Sequence, residues 1–81
     1  MTISPDYLAT TCAELAARLD IAPAEVRISH PQGTDIRVPL TVDSDRFNTA
    51  FLICFPVVGI YDRSSDATHH RIRVYDLHLT A

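Results

Sequence analysis

At 81 residues the chain is the size of one domain with a thin core, able to bury about 60–65% of the surface its unfolded form exposes. A content of 47% apolar and 21% charged residues is that of a folded globular protein and excludes a disordered chain. The net charge of −3 argues against direct nucleic-acid binding.

The opening segment reads as a helix. Ser4 suits an N-cap, Pro5 the first helical position and Asp6 the positive end of the helix dipole. Ile3 is placed to staple onto Leu8. Leu8, Cys12, Leu15 and Leu19 recur at helical period, and Glu14 and Arg18 stand one turn apart on the polar side. The helix is expected to stop near Asp20, because Pro23 disfavours helical geometry at Ala22.

Beyond Pro23 the period changes to two. Val26 and Ile28 alternate with Glu25, Arg27 and Ser29; a turn is predicted at Pro31-Gln32-Gly33-Thr34; Ile36, Val38, Leu40 and Val42 then alternate with polar neighbours. These two runs predict a hairpin, with Pro39 at an edge or with its free side there. Asp43 to Arg46 reads as a polar loop. Phe47, Ala50, Phe51 and Cys54 would suit a short helix capped by Ser44, but the density of Phe, Ile, Thr and Val favours a strand from Asn48 to Phe55, interrupted at Pro56, with 57–61 continuing it or forming a separate short strand. A mobile polar loop is expected over Asp62 to Thr68. A last strand follows from His70 to Leu79, with a bulge near Tyr75-Asp76 where its inward phase shifts. The predicted fold is α+β, a single domain with the N-terminal helix packed on one face of a mostly antiparallel sheet of about four strands.

Cys12 and Cys54 lie in apolar stretches and read as buried, reduced thiols. Met1 to Asp6 has no basic leader, and the 11-residue apolar run from Phe51 to Tyr61 is broken by Pro56 and falls short of the roughly 20 residues that span a bilayer. A cytoplasmic protein with no membrane association is expected. All seven basic residues are arginine, which fits GC-rich coding and a bacterial or phage source.

Chemistry-bearing spacings are few. His69 and His70 point to opposite faces of a strand, and His70 and His78 would stand ~26 Å apart, so neither pair can share a metal. His30 could join Cys12 and Cys54 only through the tertiary fold. With Gly33 and Gly59 as its two glycines, the chain has no phosphate-cradling loop, and it has no nucleophile elbow. No catalytic residue, metal ligand or cofactor is assigned.

Three surfaces can serve binding. A strand through Phe51, Leu52, Ile53 and Phe55 would be apolar on both faces, and one helix covers only one, which points to a homodimer or a protein partner. Asp43, Asp45, Asp62 and Asp66 gather in predicted loops and would form an acidic patch able to occupy the groove of a nucleic-acid-binding partner. Arg27, Arg37 and either Arg71 or Arg73 alternate out of phase with the apolar strand residues and would share a sheet face near Tyr75, unless they are spent on Glu25, Asp35 and Asp76. The leading expectation is a non-enzymatic protein that masks a site on a protein partner, an inhibitor or accessory type of which anti-CRISPR proteins are one example. A binder of nucleic acid or acidic ligands through the arginines is the first alternative, and a small metal-dependent or His/Asp enzyme the second.

Overall fold

The computed structural model describes residues 2–29, 34–56 and 58–79. The elements run β1 (Thr2–Ile3), α1 (Pro5–Arg18), a 3-10 turn (Pro23–Glu25), β2 (Arg27–Ser29), β3 (Thr34–Pro39), α2 (Ser44–Cys54), β4 (Tyr61–Ser65), β5 (His69–Val74) and β6 (His78–Leu79). Four strands form an antiparallel sheet in the order β2-β3-β5-β4, and β1 pairs in parallel with β6 in a separate two-stranded sheet. The fold is α+β. The predicted turn at Pro31, Gln32 and Gly33, together with His30 and Val57, lies outside the described residues.

α1 forms as its sequence directs. Ser4 is the N-cap, its Oγ accepting from the Tyr7 N–H at 3.1 Å, and Pro5 opens the helix. Leu8, Cys12, Leu15 and Leu19 are all buried, as is Ile3 ahead of the cap. The helix closes through Asp20, whose φ of 58° lies in the left-handed region, while the Ile21 and Asp20 N–H groups donate back to the Ala16 and Ala17 carbonyls. α1 packs on α2 and on the 3-10 turn, and its buried side chains belong to the same core as Ile36, Val38, Ile72 and Val74 of the sheet.

The segment read as a strand from Asn48 to Phe55 is a helix. Asp43, not Ser44, caps it, with Oδ2 accepting from the Arg46 N–H at 2.9 Å. Phe47, Ala50, Phe51 and Cys54 fall at i, i+3, i+4 and i+7 and are the residues it buries. That helical stripe outweighs the strand preference of the individual residues, which depends on context. Phe51 stacks on Phe55 with ring centroids 5.0 Å apart and meets Tyr61 of β4 at 5.5 Å. The two-faced apolar strand that pointed to a homodimer therefore does not exist: Phe51 and Phe55 are enclosed, and only Leu52 and Ile53 look outward, 38% and 52% exposed.

Three further expectations are corrected. The polar stretch after Tyr61 is not a loop up to Thr68 but the edge strand β4, with a turn confined to Asp66–Thr68. An edge strand needs little apolar alternation, and Arg63, on the side of the sheet that carries Ile72, reaches Ser44 and Asp45 at the start of α2. β3 ends at Pro39, so Leu40 and Val42 fall in a turn closed by the Val42 N–H on the Pro39 carbonyl. Pro39 lies in an inner strand, but β2 begins opposite Arg37, so the β2 side of Pro39 has no strand partner among the described residues, in line with the second of the two expectations for it. The phase shift at Tyr75-Asp76 is not a bulge; the chain leaves the large sheet there, and His78–Leu79 pairs with Thr2–Ile3.

A single pair of substitutions separates the helical reading from the strand reading. In a strand Phe51 and Ile53 would share a face; in α2 they do not. Phe51→Ala is expected to cost about 3–5 kcal/mol and Ile53→Ala less than about 1 kcal/mol, measured by urea unfolding at equilibrium.

Candidate functional site

Strand alternation sorts the large sheet into two unlike faces. One carries Ile28, Thr34, Ile36, Val38, Ile72, Val74 and Tyr61 and is continuous with the core. On the other, register aligns the side chains in cross-strand rows. One row reads Arg27, Arg37, Arg71, Ser64 from β2 to β4; the next reads Ser29, Asp35, Arg73, Asp62. The Tyr75 N–H donates to the Ile60 carbonyl at 3.0 Å and so extends the β5–β4 pairing by one row, which places Tyr75 and Ile60 at the end of this face. All four predicted arginines thus come together, with both Arg71 and Arg73 present.

Asp35 organises Arg37, Arg71 and Arg73. Its carboxylate is 2% exposed and is gripped by both arms of one guanidinium: Arg73 Nε to Oδ1 at 2.6 Å and Arg73 Nη2 to Oδ2 at 3.0 Å. Arg37 Nη2 and Arg71 Nη1 approach Oδ2 at 3.6 and 3.9 Å. The hydrogen bond from Arg73, and then the neighbouring positive charges, hold the Asp35 carboxyl below the usual carboxylate range despite its burial. The same bond pushes the Arg73 guanidinium up. Arg71 also donates Nε to Ser64 Oγ at 2.9 Å, whereas Arg37 Nε finds no hydrogen-bond partner among the described residues. Arg37, Arg71 and Arg73 keep 34–37% of their side-chain surface in solvent.

Charge on this face is unbalanced. Four arginines against Asp35 and Asp62 leave +2 on a molecule whose net charge is −3, so the remainder carries −5. Three of the arginines are direct cross-strand neighbours, an arrangement that opposes folding through like-charge repulsion. Of the other carboxylates foreseen as partners, Glu25 accepts from the Ala22 N–H and Asp76 from the Gly59 N–H, so Asp35 is the one that serves the arginines.

The four predicted patch aspartates are dispersed. Asp43 caps α2 and Asp45 pairs with Arg63 at 3.0 Å. Asp62 lies on the arginine face and accepts from the Tyr75 hydroxyl at 2.9 Å. Asp66 folds the β4–β5 turn, its Oδ1 accepting from the Thr68 and His69 N–H groups and the Thr68 hydroxyl; these bonds pull its pKa down to about 2. Burial, with Cys54 nearby, pushes the Cys12 thiol up to about 11, and burial likewise raises Cys54, so both stay protonated. His69 and His70 bond to Thr68 and Ser65 through Nδ1. Among the described residues no three His, Cys, Asp or Glu side chains gather closely enough to hold a metal ion. A shallow groove of about 390 Å³ lies between the helices, lined by Arg18, Arg46, Thr49, Ala50 and Ile53. Sequence reasoning placed Tyr75 near the arginines but missed Ile60, because the β4–β5 register that aligns it is invisible without the strand.

Removing the charge of Asp35 leaves three guanidinium groups facing one another. Asp35→Asn is expected to cost about 2 kcal/mol and to lower the thermal midpoint by roughly 10 °C, with sodium sulfate restoring more to the variant than to the wild type. Acid acts on the same bonds. Asp35, Asp66 and Asp76 all have folded-state values below the ordinary 3.8, so each contributes stability above that pH and loses it as pH falls through its lowered value. The thermal midpoint is therefore expected to hold near neutrality and to fall between about pH 4 and pH 2, as circular-dichroism melts would record. Compared with protein-family models, with curated proteins and with solved structures, the chain matches none.

Proposed function

We propose that the chain is a non-enzymatic binding protein of inhibitor or accessory type, acting by covering a site on a protein partner, with the arginine face of the sheet as its contact surface. The observation that carries this reading is the row Arg27, Arg37 and Arg71 across three adjacent strands, with a single buried carboxylate shared by Arg37, Arg71 and Arg73. Such a row is a burden on the isolated molecule and a gain once negative charge meets it. Arg37, Arg71 and Arg73 are already positioned by Asp35 and Ser64, so less side-chain freedom is lost on association. Small phage and mobile-element inhibitors of host defence are of this general size and manner.

The dispersed aspartates give weaker support to contact through an acidic patch. Direct nucleic-acid binding through the same arginines is the second reading; the −5 carried by the rest of the chain opposes a long polyanion.

The decisive experiment is affinity capture with the wild type beside an Arg37→Glu/Arg71→Glu variant, each checked for folding by circular dichroism. A stoichiometric protein partner, identified by mass spectrometry and lost at least about tenfold on charge reversal, is the expected result. Capture indifferent to the charge reversal would remove the arginine face from the proposal.

A further inference from the structure

The arginine face is not uniform, and its composition narrows what can sit on it. At one end lie Tyr75 and Ile60, 46% and 61% exposed, one residue beyond β5 and β4 and joined by a backbone hydrogen bond. The Tyr75 ring is tethered by its hydroxyl to Asp62, and Tyr75 lies beside Arg73. An exposed aliphatic side chain next to a tethered aromatic ring and a field of fixed arginines is the composition of a protein–protein contact core, where aromatic residues and arginine are enriched.

The charge count points the same way. From β2 to β4 the rows span three strand spacings, about 14 Å. Each strand of a DNA duplex advances about 3.4 Å per phosphate and would lay roughly four negative charges over that width. The face has a surplus of only +2, with Asp62 on it and −5 around it, so such a strand would overload the site and run on into repulsion. An acidic protein segment brings two or three carboxylates diluted among neutral groups. Asp35 shows that these guanidinium groups already take a planar carboxylate in fork geometry.

We infer that the occupant of this face is an acidic protein segment, one that sets two or three carboxylates against Arg27, Arg37 and Arg71 and a large apolar side chain against Tyr75 and Ile60. The inference rests on the covering role proposed above and deepens it by naming the partner's chemistry. Arg37 is the residue through which it works most directly, since it stands between Arg27 and Arg71 in the row, keeps 36% of its side-chain surface in solvent and shares its nearest carboxylate with Arg71 and Arg73.

Fluorescence anisotropy with two labelled probes tests it on the intact protein. One probe is a synthetic peptide with a single Trp followed by three Glu at alternate positions; the other is a short double-stranded oligonucleotide. The peptide is expected to bind about tenfold or more tightly than the oligonucleotide at low salt. Tyr75→Ala should weaken the peptide several-fold while leaving the salt dependence unchanged, and Arg37→Gln/Arg71→Gln should flatten that dependence. Equal or tighter binding of the oligonucleotide overturns the inference, as does a Tyr75→Ala variant that binds the peptide like the wild type. If neither probe binds but charge reversal still abolishes partner capture, the inference fails and the covering role stands. If neither binds and capture is indifferent to charge reversal, both fail.

Discussion

Among the described residues Asp35 is the one charged side chain that folding takes almost wholly out of water, and the arrangement of the polar face follows from it. A lone carboxylate in that position would be costly. Here it is satisfied by the fork of Arg73 from the adjacent strand, and it moderates the approach of Arg37 and Arg71. A slip of one residue between β3 and β5 would lose this pairing, sending Asp35 into the core and Ile36 into water. The same bond that orders the binding surface therefore also helps to select the sheet alignment.

Two helices contribute buried side chains to the core, where the sequence pattern assigned one. α2 adds Phe47, Phe51 and Phe55 to the core, and Phe51 reaches Tyr61 on the edge strand. α2 is also tied to the sheet by polar contacts, with Arg63 of β4 bonding to Ser44 and Asp45. With the greasy residues gathered beneath, the polar face is left to arginine chemistry. Its order is inherited from backbone alternation rather than from a loop, and this gives the surface a fixed geometry.

What was legible in the sequence was what short-range rules govern. Ser4, Pro5 and the Leu8–Leu19 stripe announce α1 because cap, first turn and apolar period agree. The alternation through Ile28, Ile36 and Val38 announces the hairpin, and parity alone puts Arg27 and Arg37 on one face. At α2 two local rules conflict: residue preference points to a strand, and the Phe47–Cys54 stripe, equally present in the sequence, points to the helix that forms. β4 was hidden for a different reason: an edge strand of Asp, Arg and Ser has no period to detect. Its loss took Asp62 and Ile60 with it. The choice of Asp35 over Glu25 and Asp76 depended on cross-strand register, which no local pattern encodes.

The small parallel pairing of Thr2–Ile3 with His78–Leu79 has a kinetic side. It joins residues from opposite ends of the described chain, so forming it first would mean closing a loop that encloses nearly everything else, an entropic toll that grows with the logarithm of loop length. The β4–β5 hairpin and α1 close within a few residues and can organise early. The ribbon is then expected to close after these local elements. Its amides should exchange with solvent ahead of those of β3 and β5.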